Sequence, residues 1–366
     1  MKNKLITVTL SVLLFSIFVI NILSPIKEVS YSERRKLAQF PKPSLNAIIS
    51  GELMKDFENY TLDQFAFRNQ FRSLKALFDF KILNKKDNND IYVIGDNVFK
   101  MEYPLDVGSV YEMSEKMNKV YELYLKDMNV FYSIIPDKNY FRKDDQTHLI
   151  MDYEKLQEIM IENVENMTYI DIIDSLELDD YYKTDTHWKQ EKLSKVVKTL
   201  SEQMEFEKDV NNIMYTQKTY NPFYGVYYGQ SALNIEPDTL IYQTTDKMNQ
   251  ISVYNYENSA GEEMPTSIYD EKKLGKMDSY DVFLSGATPL LTIKNPGNKS
   301  GKELIIFRDS FGSSLAPLLI EEYSKLMLVD LRYISHEAIG DFIDFGDQDV
   351  LFLYSTLVIN SSEIIQ

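Results

Sequence analysis

The chain contains no cysteine. That excludes disulfides, thiolate catalysis, lipid attachment through cysteine and cysteine-type zinc sites, and it suits an exported protein that manages without oxidative folding. Histidine is scarce, at three residues, and tryptophan occurs once. His148, His187 and His336 are too scattered in sequence to suggest a metal site, so neither metal nor other cofactor is expected. Positive charge is also short: 39 Lys and Arg against 56 Asp and Glu leave a net charge of −17. A field of that sign repels nucleic acid and offers no general attraction to anionic lipid. No internal repeat or low-complexity tract is visible.

What is present fits a globular chain of 366 residues, 44% hydrophobic, long enough for one large domain or two ordinary ones. The 26 tyrosines can stack on sugar rings, although lining half-buried surfaces is their commoner use. Met1 to Lys4 carries two lysines, and Leu5 to Leu23 carries no charge. A run of that length spans a bilayer as a helix, and the basic flank places the N-terminus in the cytoplasm and the remainder outside. A cleaved signal peptide is the alternative. The length of the run, and the lack of a small-x-small site near Ser24-Pro25, favour an uncleaved single-pass anchor over residues 1–25. Residues 26–100 form a juxtamembrane and helical region. Within it Pro25 to Pro43 reads as extended linker and Asn46 to Leu83 as amphipathic helix. Phe57, Phe65, Phe67, Phe71, Leu74 and Phe78 recur there at helical spacing and are expected to be core, with Arg68 paired to an acid. Ile91 to Phe99 reads as a hairpin turning at Gly95-Asp96-Asn97.

From residue 101 to 366 strands and helices alternate: helix Ser109 to Lys126, strand Asn129 to Ile135, helix Tyr153 to Glu165, strand Tyr169 to Ile173, then helix Lys189 to Met204. The pattern predicts α/β architecture with a mostly parallel sheet. Between Glu205 and Ser279 it breaks into a partly β insertion containing DTLIYQ, ISVYNY and a tight loop, Asn221 to Gly229, expected near the site. The runs VFLSG (ending at Gly286), LLTIK, ELIIF, KLMLVDL and VLFLYS follow. At least three of them read as strands covered on both faces, with a helix over Ala316 to Tyr323.

Two stretches carry the chemistry. Asp185, His187 and Trp188 sit together in YYKTDTHWKQ, and far downstream Asp309-Ser310 ends the ELIIF strand where a helix begins. A serine hydroxyl needs a base within hydrogen-bond reach, and the base needs a partner that fixes its tautomer. Ser310, His187 and Asp185 can fill those roles if the fold brings them together. Ser310 lies where a strand gives way to a helix, the edge at which open α/β sheets bind ligands. The helix N-terminus offers N–H groups to an oxyanion. Gly312 allows close backbone approach, Gly286 could add an N–H, and Lys138 and Asn139 at another strand end are weaker candidates. Spacing alone equally allows Asp185 or Thr186, and Asp309-Ser310, to be ordinary helix caps.

Taken together, TDTHW followed by RDSFG resembles the DHHW family of bacterial surface proteins and, more broadly, the SGNH-hydrolase-like domain of alginate O-acetylation proteins (the AlgX and AlgJ type). YSIIPDKNY, NPFYG, YDVFLSG and LVDLRYI with Arg332 resemble further blocks of that group, and DQFAFRNQF and IYVIGDNVF its N-terminal region. The chain departs from the pattern at Thr186, where the family name has its first histidine, and at Arg308. The resemblance implies an SGNH-hydrolase-like three-layer α/β/α domain. It implies a serine O-acetyltransferase, or an acetylesterase, acting outside the cell membrane on a cell-surface polysaccharide. Ser310 would be nucleophile, His187 base and Asp185 its orienter, with Arg332 near the substrate. A membrane-bound O-acyltransferase would be the acetyl-supplying partner. A catalytically inactive, membrane-anchored scaffold is the reading from a different class.

Overall fold

The structure is a computed structural model that describes residues 2–88, 90–144, 147–207, 212–256 and 263–366. Parts of the expected insertion, at 208–211 and 257–262, lie outside the described residues. The first helix, α1 (Lys2–Leu23), is 22 residues long, about 33 Å at 1.5 Å per residue, and is the one helix among the described residues long and apolar enough to cross a membrane. A small hairpin, β1 (Val29–Ser30) and β2 (Arg35–Lys36), follows. The expected single amphipathic helix is three: α2 (Leu45–Ser50), α3 (Glu52–Asp63) and α4 (Arg68–Lys81). Gly51, at φ 80°, and Phe67, at φ 59°, break it, because a left-handed residue cannot continue a right-handed helix. Its apolar stripe is also not core: Phe57, Phe65, Phe67, Phe71, Leu74 and Phe78 are all exposed. Arg68 does pair with an acid, Glu33.

The predicted hairpin is present as β3 (Ile91–Ile94) and β4 (Asn97–Lys100). After it the chain runs through α5 (Val107–Val120), β5 (Val130–Ile135), α6 (Tyr153–Asn163), β6 (Thr168–Tyr169) and α7 (Ser194–Gln203). The segment between residues 205 and 279 contributes β7 (Thr216–Phe223), α8 (Val226–Ser231), β8 (Asp238–Thr244), β9 (Ser252–Asn255) and β10 (Met264–Thr266). Then come β11 (Leu290–Lys294), β12 (Glu303–Arg308), α9 (Gly312–Leu319), β13 (Lys325–Val329), β14 (Asp349–Ser355) and α10 (Thr356–Ile359). VFLSG is not a strand. It forms a tight turn in which Leu284, Ser285 and Gly286 all have positive φ.

The central sheet has eight strands in the order β10-β9-β11-β13-β12-β14-β5-β6. From β13 to β6 neighbours pair in parallel, while β11, β9 and β10 add an antiparallel edge. Only β7 and β8 of the insertion stand apart as their own two-stranded sheet. Alternation places successive side chains on opposite faces. Leu304 and Ile306 of β12 join a cluster with Val196, Leu200 and Leu315 of α7 and α9, while Ile305 and Phe307 join Val110, Met113 and Leu156 of α5 and α6. Both faces are thus covered by helices, the three-layer α/β/α arrangement, and the parallel strands read as unbroken apolar runs because neither face meets water.

Candidate active site

Ser310 occupies the junction between β12 and α9, at the C-terminal edge of the parallel strands. Asp309 fixes that junction: its carboxylate accepts the Phe311 N–H at 3.0 Å and the Ser355 N–H, at the end of β14, at 2.8 Å. The aspartate therefore caps the turn in place of the Ser310 hydroxyl. Gly312 is needed for packing, since a Cβ there would lie 2.7 Å from the Cβ of Arg308. Its N–H donates to the Asp309 carbonyl. The Ser310 N–H makes no hydrogen bond among the described residues.

The loop carrying Asp185 and His187 is pinched at its base, where Tyr181 bridges Trp188 and Tyr182 N–H meets the His187 carbonyl. Inside the loop, Asp238 accepts from Lys183 N–H, Thr184 N–H and the Thr184 hydroxyl. Lys138 enters from below and donates to the carbonyls of Val98, Tyr182 and Lys183 at 2.7, 2.8 and 2.9 Å. Burial pushes its ammonium pKa down to about 7, against the pull of the Asp238 and Asp185 carboxylates. Trp188 ties the loop to the serine's helix, its indole N–H donating to Ser314 Oγ at 2.8 Å and to the Phe311 carbonyl at 3.2 Å.

Three side chains from opposite ends of the domain then align. His187 Nε2 lies 2.8 Å from Ser310 Oγ, and His187 Nδ1 lies 2.6 Å from Asp185 Oδ1. The imidazole stacks on Tyr280, ring centroids 3.8 Å apart and 9° from parallel, and leans on Phe311. The Tyr280 hydroxyl is anchored on Ser314 Oγ at 2.8 Å. The histidine ring is held from both sides and cannot swing away from the serine without unstacking.

Asp185 has no exposed surface, and its oxygens are fully used. Oδ1 accepts the His187 ring and backbone N–H; Oδ2 accepts the Val226 N–H at 2.7 Å and meets Arg34 Nη2 at 3.0 Å. Burial pushes this carboxyl up, but Arg34, then His187 and the Val226 N–H, outweigh it and hold it well below the usual carboxylate range. Arg34 also meets Asp278 at 2.8 Å and donates to the Tyr224 carbonyl at 3.0 Å. Burial raises the pKa of the Asp278 carboxyl. It raises that of Asp281 to about 6, with the charge of Asp278 adding to the shift.

The remaining sequence candidates sit elsewhere in the scaffold. Lys138 spends its donors on the loop carbonyls. The Asn139 amide bridges the Lys100 carbonyl and Asp137, and its oxygen accepts from Tyr92. The Gly286 N–H donates to the Phe283 carbonyl in the turn. Arg332 forms a two-pronged pair with Asp330, at 2.8 and 2.7 Å. Of these four, Lys138 alone reaches one of Ser310, His187 and Asp185 among the described residues, donating to the Asp185 carbonyl at 3.4 Å; the groups of the other three are taken up by the neighbours just named. His148 stacks on Tyr92 and His336 binds the Gln366 carbonyl, both away from the site. The expected loop from Asn221 to Gly229 lies against it, through Val226 on Asp185 and Gly225 N–H on the Thr184 hydroxyl. Arg34 and Tyr280 were not singled out by sequence reasoning. Arg34 lies in a linker without periodicity, and Tyr280 enters only as the first residue of the quoted block YDVFLSG, one tyrosine among 26. A cavity of about 1070 Å³ lies beside the site, between the end of α1, the turn before α4 and Tyr220, Tyr224 and Tyr228. Its lining includes Ser279 but neither Ser310 nor His187.

The chain is similar to solved structures of low sequence identity, of which the first two below share the fold. A DHHW family protein from Eubacterium siraeum is 21% identical, with a TM-score of 0.61, covering 76% of this chain and 94% of that one. Bacillus cereus PatB1, solved with a sulfonyl adduct, is 17% identical with a TM-score of 0.58, covering 74% of this chain and 97% of that one. The O-acetyltransferase domain of Pseudomonas putida AlgJ is 11% identical at a TM-score of 0.45, covering 75% and 93%. No curated protein matches the sequence. The model of the DHHW protein family matches residues 84–329, more than half of the sequence, and the chain therefore belongs to the DHHW family.

Proposed function

We propose that the chain is a membrane-anchored serine O-acetyltransferase that works outside the membrane on a cell-surface polysaccharide, through an acyl-Ser310 intermediate. The observation that supports it most is the unbroken line from Ser310 Oγ to His187 Nε2 at 2.8 Å and from His187 Nδ1 to Asp185 Oδ1 at 2.6 Å. In this reading His187 Nε2 takes the hydroxyl proton as Ser310 Oγ attacks the acyl carbonyl. The oxyanion that forms faces the uncommitted Ser310 N–H and the start of α9. Collapse breaks the bond to the donor oxygen, which leaves with the proton from His187. A sugar hydroxyl then gives its proton to His187 and attacks the acyl-serine, releasing the new ester and restoring Ser310. Water in place of the sugar completes hydrolysis instead, so transfer and deacetylation share every residue. Asp185, ionised by Arg34, keeps the proton on Nδ1 and offsets the charge of the imidazolium.

The anchoring rests on α1, and the extracytoplasmic placement on its two flanking lysines. A membrane-bound O-acyltransferase that hands over the acetyl group is the proposed partner. The test uses the full chain in detergent with p-nitrophenyl acetate and with a sulfonyl fluoride, a reagent class suggested by the adduct on the PatB1 structure. Ser310→Ala and His187→Ala should each lower ester turnover by roughly three orders of magnitude or more, and the double variant no further, because the two act as a unit. The sulfonyl group should appear on Ser310 alone. Equal rates for parent and Ser310→Ala would leave an inactive scaffold. Serine-dependent turnover that speeds up with added polysaccharide, together with acetylated product, marks transfer rather than hydrolysis.

A further inference from the structure

Helix α4 is packed inside out. The residues it turns toward the domain are charged or small: Ala76 and Asp79 are its buried positions. Arg72 reaches Glu33 at 3.0 Å and the Gly229 carbonyl at 2.9 Å, and Arg68 also binds Glu33. Lys75 and Lys85 close on Asp79 at 2.7 and 3.1 Å. The residues it turns away are Phe71, Leu74 and Phe78, exposed by 51, 62 and 51%, and Phe67, capping its start, is exposed by 59%. Their spacing of four, three and four makes one stripe down the helix. An apolar stripe of that length left in water is costly, and such patches mark a surface that meets something else.

What it meets is indicated by where the helix starts. The Ala66 N–H donates to Asn21 Oδ1, near the end of α1, at 2.8 Å. Gln64 exchanges hydrogen bonds with the Lys27 backbone at 2.9 and 2.8 Å. The stripe thus begins at the point where the chain leaves α1. The exposed charges of α4 are Lys75 and Lys81, both cationic, while its carboxylate, Asp79, is buried. Aromatic and leucine side chains on one face with lysines at the margin is the pattern of a helix lying in the headgroup zone. We propose that α4 rests on the bilayer surface with Phe67, Phe71, Leu74 and Phe78 in the lipid, so that the domain is held at a fixed height and orientation rather than on a free tether. The proposal rests on the reading of α1 as a membrane span.

The absence of native cysteine makes the test clean. Single-cysteine variants Leu74→Cys, Phe78→Cys, Leu123→Cys and Val12→Cys of the full chain are spin-labelled and reconstituted, with no other protein, in phosphatidylcholine–phosphatidylglycerol vesicles. Leu123 is 50% exposed on the segment after α5 and serves as the water-facing reference. The expected result is a ratio of oxygen to nickel-chelate accessibility several-fold higher at 74 and 78 than at 123. A ratio at 74 and 78 equal to that at 123, with the Val12 label in lipid, sinks the α4 proposal alone. Dipolar broadening at 74 that disappears on dilution with unlabelled protein assigns the stripe to a second copy and also overturns it. A Val12 label in water overturns the anchoring reading, and this one with it.

Discussion

Arg34 is the residue whose removal separates positioning from bond-making. It touches neither Ser310 nor the ring of His187, yet it neutralises one oxygen of a carboxylate with no exposed surface. Arg34→Gln leaves that oxygen with the Val226 N–H alone, and the Asp185 carboxyl pKa rises toward and beyond the ordinary range. The expected outcome is a fall in kcat of roughly tenfold to a hundredfold with KM little changed, because the geometry of the proposed nucleophile and base is loosened while the substrate surface is intact. A merely structural arginine would not move the acidic side of the pH–rate profile. Here that side should shift to higher pH in Arg34→Gln, and Arg34→Lys should restore part of the rate. Asp281 makes a second residue-scale prediction. Its folded pKa is raised to about 6, so the folded state holds a proton that the unfolded chain has already lost. Its contribution to stability is therefore lost as pH rises from the ordinary aspartate value, about 4, to about 6. Asp281→Asn removes that dependence. In urea unfolding the variant should gain on the parent by about 2 kcal/mol across this window, after allowance for partial exposure.

Between elements, the contact that matters is the one between α8 and the β1–β2 hairpin. A Cβ at Gly229 would lie 1.6 Å from the Ser32 carbonyl oxygen, and both groups are backbone, so the hairpin must move. Gly229→Ala should therefore withdraw Arg34 from Asp185. It should lower kcat to the level of Arg34→Gln, and the double variant should fall no further, since both changes break one contact. Additive losses would show that the hairpin has a separate role. These elements also mark the limit of what the sequence discloses. The parallel strands were legible because a segment buried on both faces must be apolar throughout, as in LIIF and VLFLY. The juxtaposition of Asp185, His187 and Ser310 was legible because few residue types suit the proposed acyl chemistry and only three histidines were available. Helix α4 was legible as a helix but not as an exposed one: periodicity reveals an apolar face and says nothing of what covers it. VFLSG misled for a related reason, since a buried tight turn is as apolar as a strand. Arg34 could not be read at all, because its partner lies about 150 positions away and an arginine in a linker has no distinguishing pattern.

For the whole molecule, the question is where the domain that carries the candidate site begins. The matched family region starts at residue 84, but the ionic frame of the site starts fifty positions earlier. Glu33 is bound by Arg35, Arg68 and Arg72, and next to it Arg34 enters the site. Removing the chain before Glu28 deletes α1 and leaves this frame whole. Removing it before Ala38 deletes Arg34 and strands Arg68 and Arg72 without Glu33. The first truncation should keep the parent's rate on p-nitrophenyl acetate. The second should fall at least to the rate of Arg34→Gln and melt several degrees lower, because like charges lose the carboxylate between them. The shorter cut also separates the two proposed membrane contacts. If α4 lies on lipid, the protein that begins at Glu28 still sediments with anionic vesicles, and Leu74→Glu with Phe78→Glu releases it without changing ester turnover. A protein that stays in the supernatant once α1 is gone would leave the domain on a flexible tether, free to reach polymer at any height above the membrane.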